Sequence, residues 1–412
     1  MTPHPTRRRW RTLLRLLTLG LLTAARPALA DPLLEPELNE SLLIVPPQSH
    51  EQPTLQATLF LPDGPGPFPV VVMSHGRNEG ATRRQPRWRP TDLVRHWQMR
   101  GWAVYLPMRE GYADSGGPDD DVACPDIAAR GRAAGAQLHR AIDALAGRPE
   151  LDLGRLVVLG HSDGALGALG YATAQPHAGL QAVINLAGGL KSGLTWCRWQ
   201  DMLADGVKAL ASGHAGPPGA VPMQWLYAAN DSFFDHALAR RLAQAWADGG
   251  GQASLLLLPA LGTDGHEAVL REPAQPLLWT QFSALLQPRG LPVQVVQPRF
   301  ADTSEPTPRA SGFARVDSVR DVPHLSERRR EVYRNFLKQS TPRAVAISED
   351  GAIGWANDVY KPQRAALRFC QRSAAPGRPC RLYAVDDTVV WTEAPPTSPT
   401  PATPAAAPQA QP

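Results

Sequence analysis

The stretch VVLGHSDGALGALG, Val157 to Gly170, sets a single serine among four glycines directly after an apolar run. Gly160-His161-Ser162-Asp163-Gly164 has the form G-x-S-x-G, and the residues around it predict a buried strand before it and a small-residue helix after it. A serine on so sharp a strand-to-helix turn takes a strained backbone conformation. Side chains two residues to either side would collide with neighbouring strands, and Gly160 and Gly164 remove those collisions. Ala165, Gly167, Ala168 and Gly170 then let the helix lie close to the sheet. The turn directs the hydroxyl into a cleft, where amides at the helix start can stabilise a developing anion.

Outward from this turn, short apolar runs alternate with helical patterns. SLLIV, TLQATLFL, PVVVMSHG, WAVYLPM, RLVVLG, AVINLAG, PMQWLYAAN and ASLLLLP read as strands. TDLVRHWQMRG, with Thr91 as N-cap, IAARGRAAGAQLHRAIDALAG, HALARRLAQAWADGG and EPAQPLLWTQFSALLQ read as helices. The alternation predicts an α/β fold with a doubly wound, mostly parallel sheet, whose sites lie at the carboxyl ends of its strands.

A serine hydroxyl needs a base, and the base an orienting carboxylate. On such a sheet the chain order is serine, acid, histidine. Asp231 follows the strand PMQWLYAAN, and His266 lies in a Gly-flanked loop after the last strong strand. Asp235 falls too far into a helix start, Asp264 and Glu267 lie too close in sequence to orient His266, His236 belongs to a helix, and His214 has no preceding strand. His161 is expected to point away from the apex, and His75 to be a structural hydrogen-bonder. The catalytic assignment is therefore Ser162, Asp231 and His266, with the backbone amides of Arg77, in the loop SHGRN, and Asp163 as the oxyanion hole. No metal or other cofactor is expected.

Together PVVVMSHG, GHSDG, AAND and DGHEA resemble the α/β-hydrolase superfamily, and most closely its dienelactone hydrolase-related branch, over roughly residues 40–288. The resemblance implies hydrolysis of an ester or similar acyl bond through an acyl-enzyme. Dienelactone hydrolases proper carry a cysteine nucleophile where this chain has Ser162, which favours a serine esterase acting on a small-molecule ester. A serine peptidase or amidase needs the same three residues. The alternative from another class is a non-catalytic binding protein on a hydrolase scaffold, recognising envelope or polysaccharide.

Residues 1–30 have the layout of a secretory signal: a basic start, a short apolar stretch interrupted by Arg15, and Ala28-Leu29-Ala30 before Asp31. Its loss removes six arginines and no acid, leaving 36 basic residues against 38 acidic, so net charge offers no case for nucleic acid. The expected location is periplasmic or secreted, with no stable membrane span. In an oxidising compartment the four cysteines allow three pairings; Cys370 and Cys380 suit a local staple, which leaves Cys124 with Cys197. The expected organisation is a hydrolase domain over 31–290, a Pro-rich linker over 291–311, a small cysteine-paired β-β-α-β module over 312–393 and a disordered tail over 394–412. Envelope contact falls to that module. Two loops are expected to line the cleft: RNEGATRRQPRWRP, read as a solvated basic loop rather than one that recognises an acidic or aromatic acyl group, and KSGLTWCRWQD, whose Trp196 and Trp199 either form an apolar wall or pack against the scaffold. Intact mass of the exported protein should place its first residue at Asp31; a chain retaining residues 1–30 would contradict the leader.

Overall fold

In β3 (Phe68–Ser74), Val70 and Val72 belong to one hydrophobic core and Val71 and Met73 to another, and none of the four is exposed. Successive side chains of a strand point to opposite faces, so an uninterrupted apolar run requires a sheet covered on both sides. The computed structural model describes residues 34–78, 80–120, 124–174, 176–213 and 221–392, and from Glu35 onward these belong to one unit. The expected leader and tail, and His214, lie outside the described residues.

The large sheet comprises β1 (Glu40–Val45), β2 (Leu55–Phe60), β3, β4 (Ala103–Pro107), β5 (Leu151–His161), β6 (Leu180–Leu186), β7 (Met223–Ala228) and β8 (Ser254–Leu258). Their order is β1-β2-β4-β3-β5-β6-β7-β8. β1 and β2 pair antiparallel, β2 joins β4 antiparallel, and every pairing from β4 through β8 is parallel. The helices are α1 (Thr91–Gln98), α2 (Ile127–Asp143), α3 (Asp163–Thr173), α4 (Trp199–Ser212), α5 (His236–Asp248), α6 (Gly265–Ala268) and α7 (Gln275–Leu286). Residues of α2 to α5 fill one core, and those of α1 and α7 the other. No helix among the described residues is long and apolar enough to cross a membrane.

Several local expectations shift. Thr91 is the first residue of α1 rather than its cap, because the Pro90 carbonyl already accepts from the Val94 amide. The small residues of α3 serve the α2 contact as well as the sheet: a Cβ on Gly170 would lie 2.0 Å from the Gly131 carbonyl oxygen. The basic loop is solvated only in part: Arg83 and Arg84 are exposed, whereas Arg87 is buried and Arg89 partly so. Arg87 donates to Glu40 at 3.0 Å and to Thr58 at 2.7 Å, Arg89 Nε donates to Glu40 at 2.7 Å, and Arg83 binds the Ser115 carbonyl at 3.0 Å. A planar guanidinium tolerates burial where a carboxylate meets its fork.

A separate antiparallel sheet follows, ordered β10-β9-β11-β12, from β9 (Arg343–Ile347), β10 (Ile353–Asn357), β11 (Arg381–Val385) and β12 (Thr388–Val389). Val345 and Ile347 pack with Tyr333 and Phe336 of α8 (Glu327–Leu337), while Ala344 and Ala346 face Ala366 and Cys370 of α9 (Pro362–Gln371). The expected single last strand is a hairpin, turned at Asp386 with φ 50°; this residue accepts the Arg343 amide at 2.9 Å. Cys370 pairs with Cys380, and Cys124 with Cys197.

The stretch expected as a linker begins as a packed strap. Leu291 and Phe300 are buried, the Val296 and Gln297 amides both donate to the Met99 carbonyl, and Arg95 donates to the Phe300 carbonyl at 2.7 Å. Beyond it, Arg364 on α9 reaches Glu35 and Glu37, and Tyr360 enters the core of α1 and α7. The small sheet is thus anchored to the large one by ion pairs and by an aromatic side chain. Glu40→Ala would remove the carboxylate that two buried guanidinium groups share and should cost about 3–5 kcal/mol in urea unfolding. Glu349→Ala, in an exposed pair with Arg378, should leave the unfolding midpoint unchanged.

Candidate active site

Ser162 joins β5 to α3 with φ 54° and ψ −129°, a left-handed conformation costly for a residue with a side chain. The surrounding contacts leave no room for relaxation. A Cβ on Gly160 would lie 2.4 Å from Ala165 Cα, and one on Gly164 would lie 2.1 Å from the Ser74 carbonyl oxygen of β3.

His266 Nε2 lies 3.0 Å from Ser162 Oγ, and His266 Nδ1 lies 3.1 Å from Asp231 Oδ2. The three side chains, spread over β5–α3, the end of β7 and α6, therefore form one hydrogen-bonded line. The other Asp231 oxygen accepts the amides of Phe233 at 2.8 Å and Phe234 at 2.9 Å, which fixes the carboxylate. Both phenyl rings flank the imidazole, with centroids 4.6 and 5.5 Å away. The rival acids have other employment. Asp264 accepts the His266 amide and binds Ser232, and Asp235 caps α5 through the Leu238 amide. His236 binds the Tyr227 carbonyl.

The loop after β3 lies against the serine: a Cβ on Gly76 would be 2.9 Å from Ser162 Cβ. Among the described residues, the amides of Arg77 and Asp163 have no hydrogen-bond acceptor. His75 holds this loop, with Nδ1 2.7 Å from the Gly76 carbonyl and Nε2 accepting the Arg109 amide at 3.0 Å. Burial pushes His75 down to about 3, which keeps it a neutral acceptor.

The Asp163 side chain is the part of the site that sequence reasoning missed. It is fully buried behind the serine, 2.8 Å from Arg109 at the end of β4 and bound by both Nε (2.8 Å) and Nη2 (2.5 Å) of Arg130 on α2. Burial would raise its pKa, but the two guanidinium groups outweigh that and hold the carboxyl well below the usual range. Arg130 also binds Asp120, whose partner Tyr112 donates at 2.9 Å. Arg77 faces Asp120 at 4.0 Å, and the Asp163 oxygens are occupied by Arg109 and Arg130. The only available sequence signal was a carboxylate in an otherwise apolar, small-residue stretch, where its burial would demand a cation.

His161 departs from expectation too. Its Nε2 bonds the His266 carbonyl at 3.0 Å, and its ring stacks under Trp88 with centroids 6.0 Å apart. The cleft above Ser162 is about 790 Å³, with Arg77, Trp88, Tyr112, Leu190, Phe233 and Glu267 among its lining residues. Trp199 packs edge-on to Phe234, the scaffold-packing alternative, while Trp196 is 72% exposed, and neither is among the residues lining the cleft. The Cys124–Cys197 bond joins the segments before α2 and α4, beside Pro125 and Ser192, which do line the cleft.

The strand order and the serine turn between β5 and α3 now stand together. This is the α/β-hydrolase fold. No family model matches the chain, and no curated protein matches it. Among solved structures, an esterase from Pyrococcus furiosus is 12% identical, with 61% of this chain and 92% of that one covered at a TM-score of 0.43. A provisionally assigned dienelactone hydrolase from Klebsiella pneumoniae subsp. pneumoniae is 20% identical, covering 60% of this chain and 97% of that one at 0.41. A puromycin-hydrolysing peptidase from Mycobacterium tuberculosis is 18% identical, covering 60% of this chain and 40% of its own at 0.42.

Burial, together with the nearby His266, lowers His161 to about 3 against an ordinary 6.5. Below pH 6.5 the unfolded chain takes up a proton that the folded chain refuses, so this residue's contribution to stability is lost as pH falls. Urea unfolding across that range should show the advantage of wild type over His161→Asn shrinking by about 1.4 kcal/mol per pH unit. A constant difference would contradict burial of a neutral imidazole.

Proposed function

We propose that this chain is an exported serine hydrolase that cleaves carboxylic esters through an acyl-enzyme. The observation that carries the proposal is the hydrogen-bonded line from Ser162 Oγ through His266 to Asp231. Ser162 Oγ attacks the ester carbonyl carbon while its proton passes to His266 Nε2. The tetrahedral oxyanion forms against the amides of Arg77 and Asp163, at the start of α3. Collapse breaks the ester C–O bond, and the departing alkoxide takes the proton from Nε2. Water then attacks the acyl group by the same route, returning Ser162. Throughout, Asp231 accepts a hydrogen bond from Nδ1–H, which in the resting state selects the tautomer whose Nε2 lone pair faces the serine.

Arg109 and Arg130 are positioning residues. They hold Asp163, and Arg109 also donates to the Gly76 carbonyl at 3.2 Å, so one guanidinium connects both sides of the oxyanion site. Arg77, Arg109 and Arg130 stand against Asp120 and Asp163, a surplus of one positive charge where negative charge develops. The apolar walls from Trp88, Leu190 and Phe233 favour a hydrophobic acyl or alcohol group. The two disulfides, with the leader expected from the sequence, are consistent with an oxidising, periplasmic or extracellular location.

A fluorophosphonate probe should label the mature protein at Ser162, and Ser162→Ala should abolish both labelling and ester hydrolysis while leaving the melting temperature close to wild type. Asp231→Asn should lower kcat by roughly 10³–10⁴-fold with little change in KM, because the imidazole then presents the wrong tautomer. A folded wild type that no probe labels would overturn the enzymatic assignment.

A further inference from the structure

Away from the cleft, the structure assembles a second cluster of chemically capable side chains. His139 and Asp143 lie four residues apart on α2, a spacing that puts both on one helix face. His177, in the turn leading into β6, completes it. His139 Nδ1 is 3.3 Å from Asp143 Oδ2, His177 Nε2 is 3.0 Å from Asp143 Oδ1, and all three donor atoms lie within 4.8 Å of one another. The two imidazole rings face each other with centroids 4.3 Å apart and a 32° tilt.

We propose that His139, Asp143 and His177 form a binding site for a divalent transition-metal ion of the zinc class. Ligands at about 2.0–2.2 Å around a tetrahedral ion are separated by about 3.3–3.6 Å, against the 3.3 and 3.0 Å that separate the two imidazoles from the two oxygens of Asp143. Supporting groups hold the donors in place. The Tyr171 hydroxyl accepts the His177 amide at 3.1 Å and lies 2.9 Å from His177 Nδ1. With the Nδ1 proton donated to that oxygen, Nε2 presents its lone pair to the ion, the arrangement in which an outer partner fixes a ligating imidazole. Gln48 Nε2 donates to Asp143 Oδ2 at 2.9 Å, restraining the carboxylate. Two imidazoles and one carboxylate suit zinc, nickel or copper, whereas magnesium and calcium take oxygen sets. Three protein ligands leave a fourth position open.

The site is exposed enough for an ion to enter, with His139 at 42% and Asp143 at 39% side-chain exposure. His139 lies nine residues along α2 from Arg130, about 13 Å of helix, so the ion would act on the scaffold rather than on the reacting atoms. It would clamp the last turn of α2 to the segment entering β6, and binding only the folded chain it would raise stability.

The test is calorimetric titration of the untagged mature protein with ZnCl₂, and with MgCl₂ for comparison. Wild type should bind one equivalent of zinc at least a hundredfold more tightly than magnesium, with a higher melting temperature in zinc. His139→Ala, which removes an exposed ring, and His177→Gln should each lose at least tenfold in zinc affinity and lose the thermal shift. His266→Ala should keep both, separating this site from zinc captured by the imidazole beside Ser162. Equal zinc affinity in wild type and both variants, or zinc no tighter than magnesium, would overturn the proposal and leave a hydrogen-bonded triad only.

Discussion

The carboxylate of Asp163 is buried immediately behind Ser162, and the surrounding architecture is organised around its neutralisation. An isolated charge at that depth would be untenable, and here Arg109 and Arg130 share it. Those two arginines come from the end of β4 and the first turns of α2, so one anion locks the serine turn to two other elements. Arg109 continues to the Gly76 carbonyl, and Arg130 to Asp120 beneath Arg77. The strained backbone at Ser162 is retained because this network, together with the close approach of β3 to Gly164, offers it no alternative.

The rest of the molecule supports that arrangement from a distance. Sheet strands that send alternate residues into two cores present their carboxyl ends along one edge, and Ser162, Asp231 and His266 lie just beyond three of them. Aromatic rings from Phe233, Phe234 and His161 enclose the imidazole of His266. The small C-terminal sheet is held to the large one by ion pairs to Glu35 and Glu37 and by Tyr360, which makes it a fixed part of the scaffold.

Legibility in the sequence followed the range of each interaction. The strands were readable because apolar runs must be covered on both faces, and the serine turn because only glycine fits beside it. Asp231 and His266 were readable from position alone, each following a strand. Trp196 and Trp199 were left open between cleft wall and scaffold packing, because a tryptophan in a loop carries no mark of which way it faces. Arg87 and Arg89 looked like a solvated charge run, since Glu40, their partner, lies more than forty residues earlier on an edge strand. Arg109 and Arg130 escaped notice for the same reason, as did the meeting of His139 and Asp143 with His177.

What the sequence by itself determined is the local grammar: alternating elements, a glycine-flanked serine, and an acid and a histidine in the right chain order. Those follow from backbone sterics and from hydrophobic periodicity, which act over a few residues. Which charges pair, which rings wall the cleft and which imidazoles share a carboxylate were decided only by the tertiary structure. Such contacts depend on distances across the fold, and side chains remote in sequence carry no local signature of the partner they will meet.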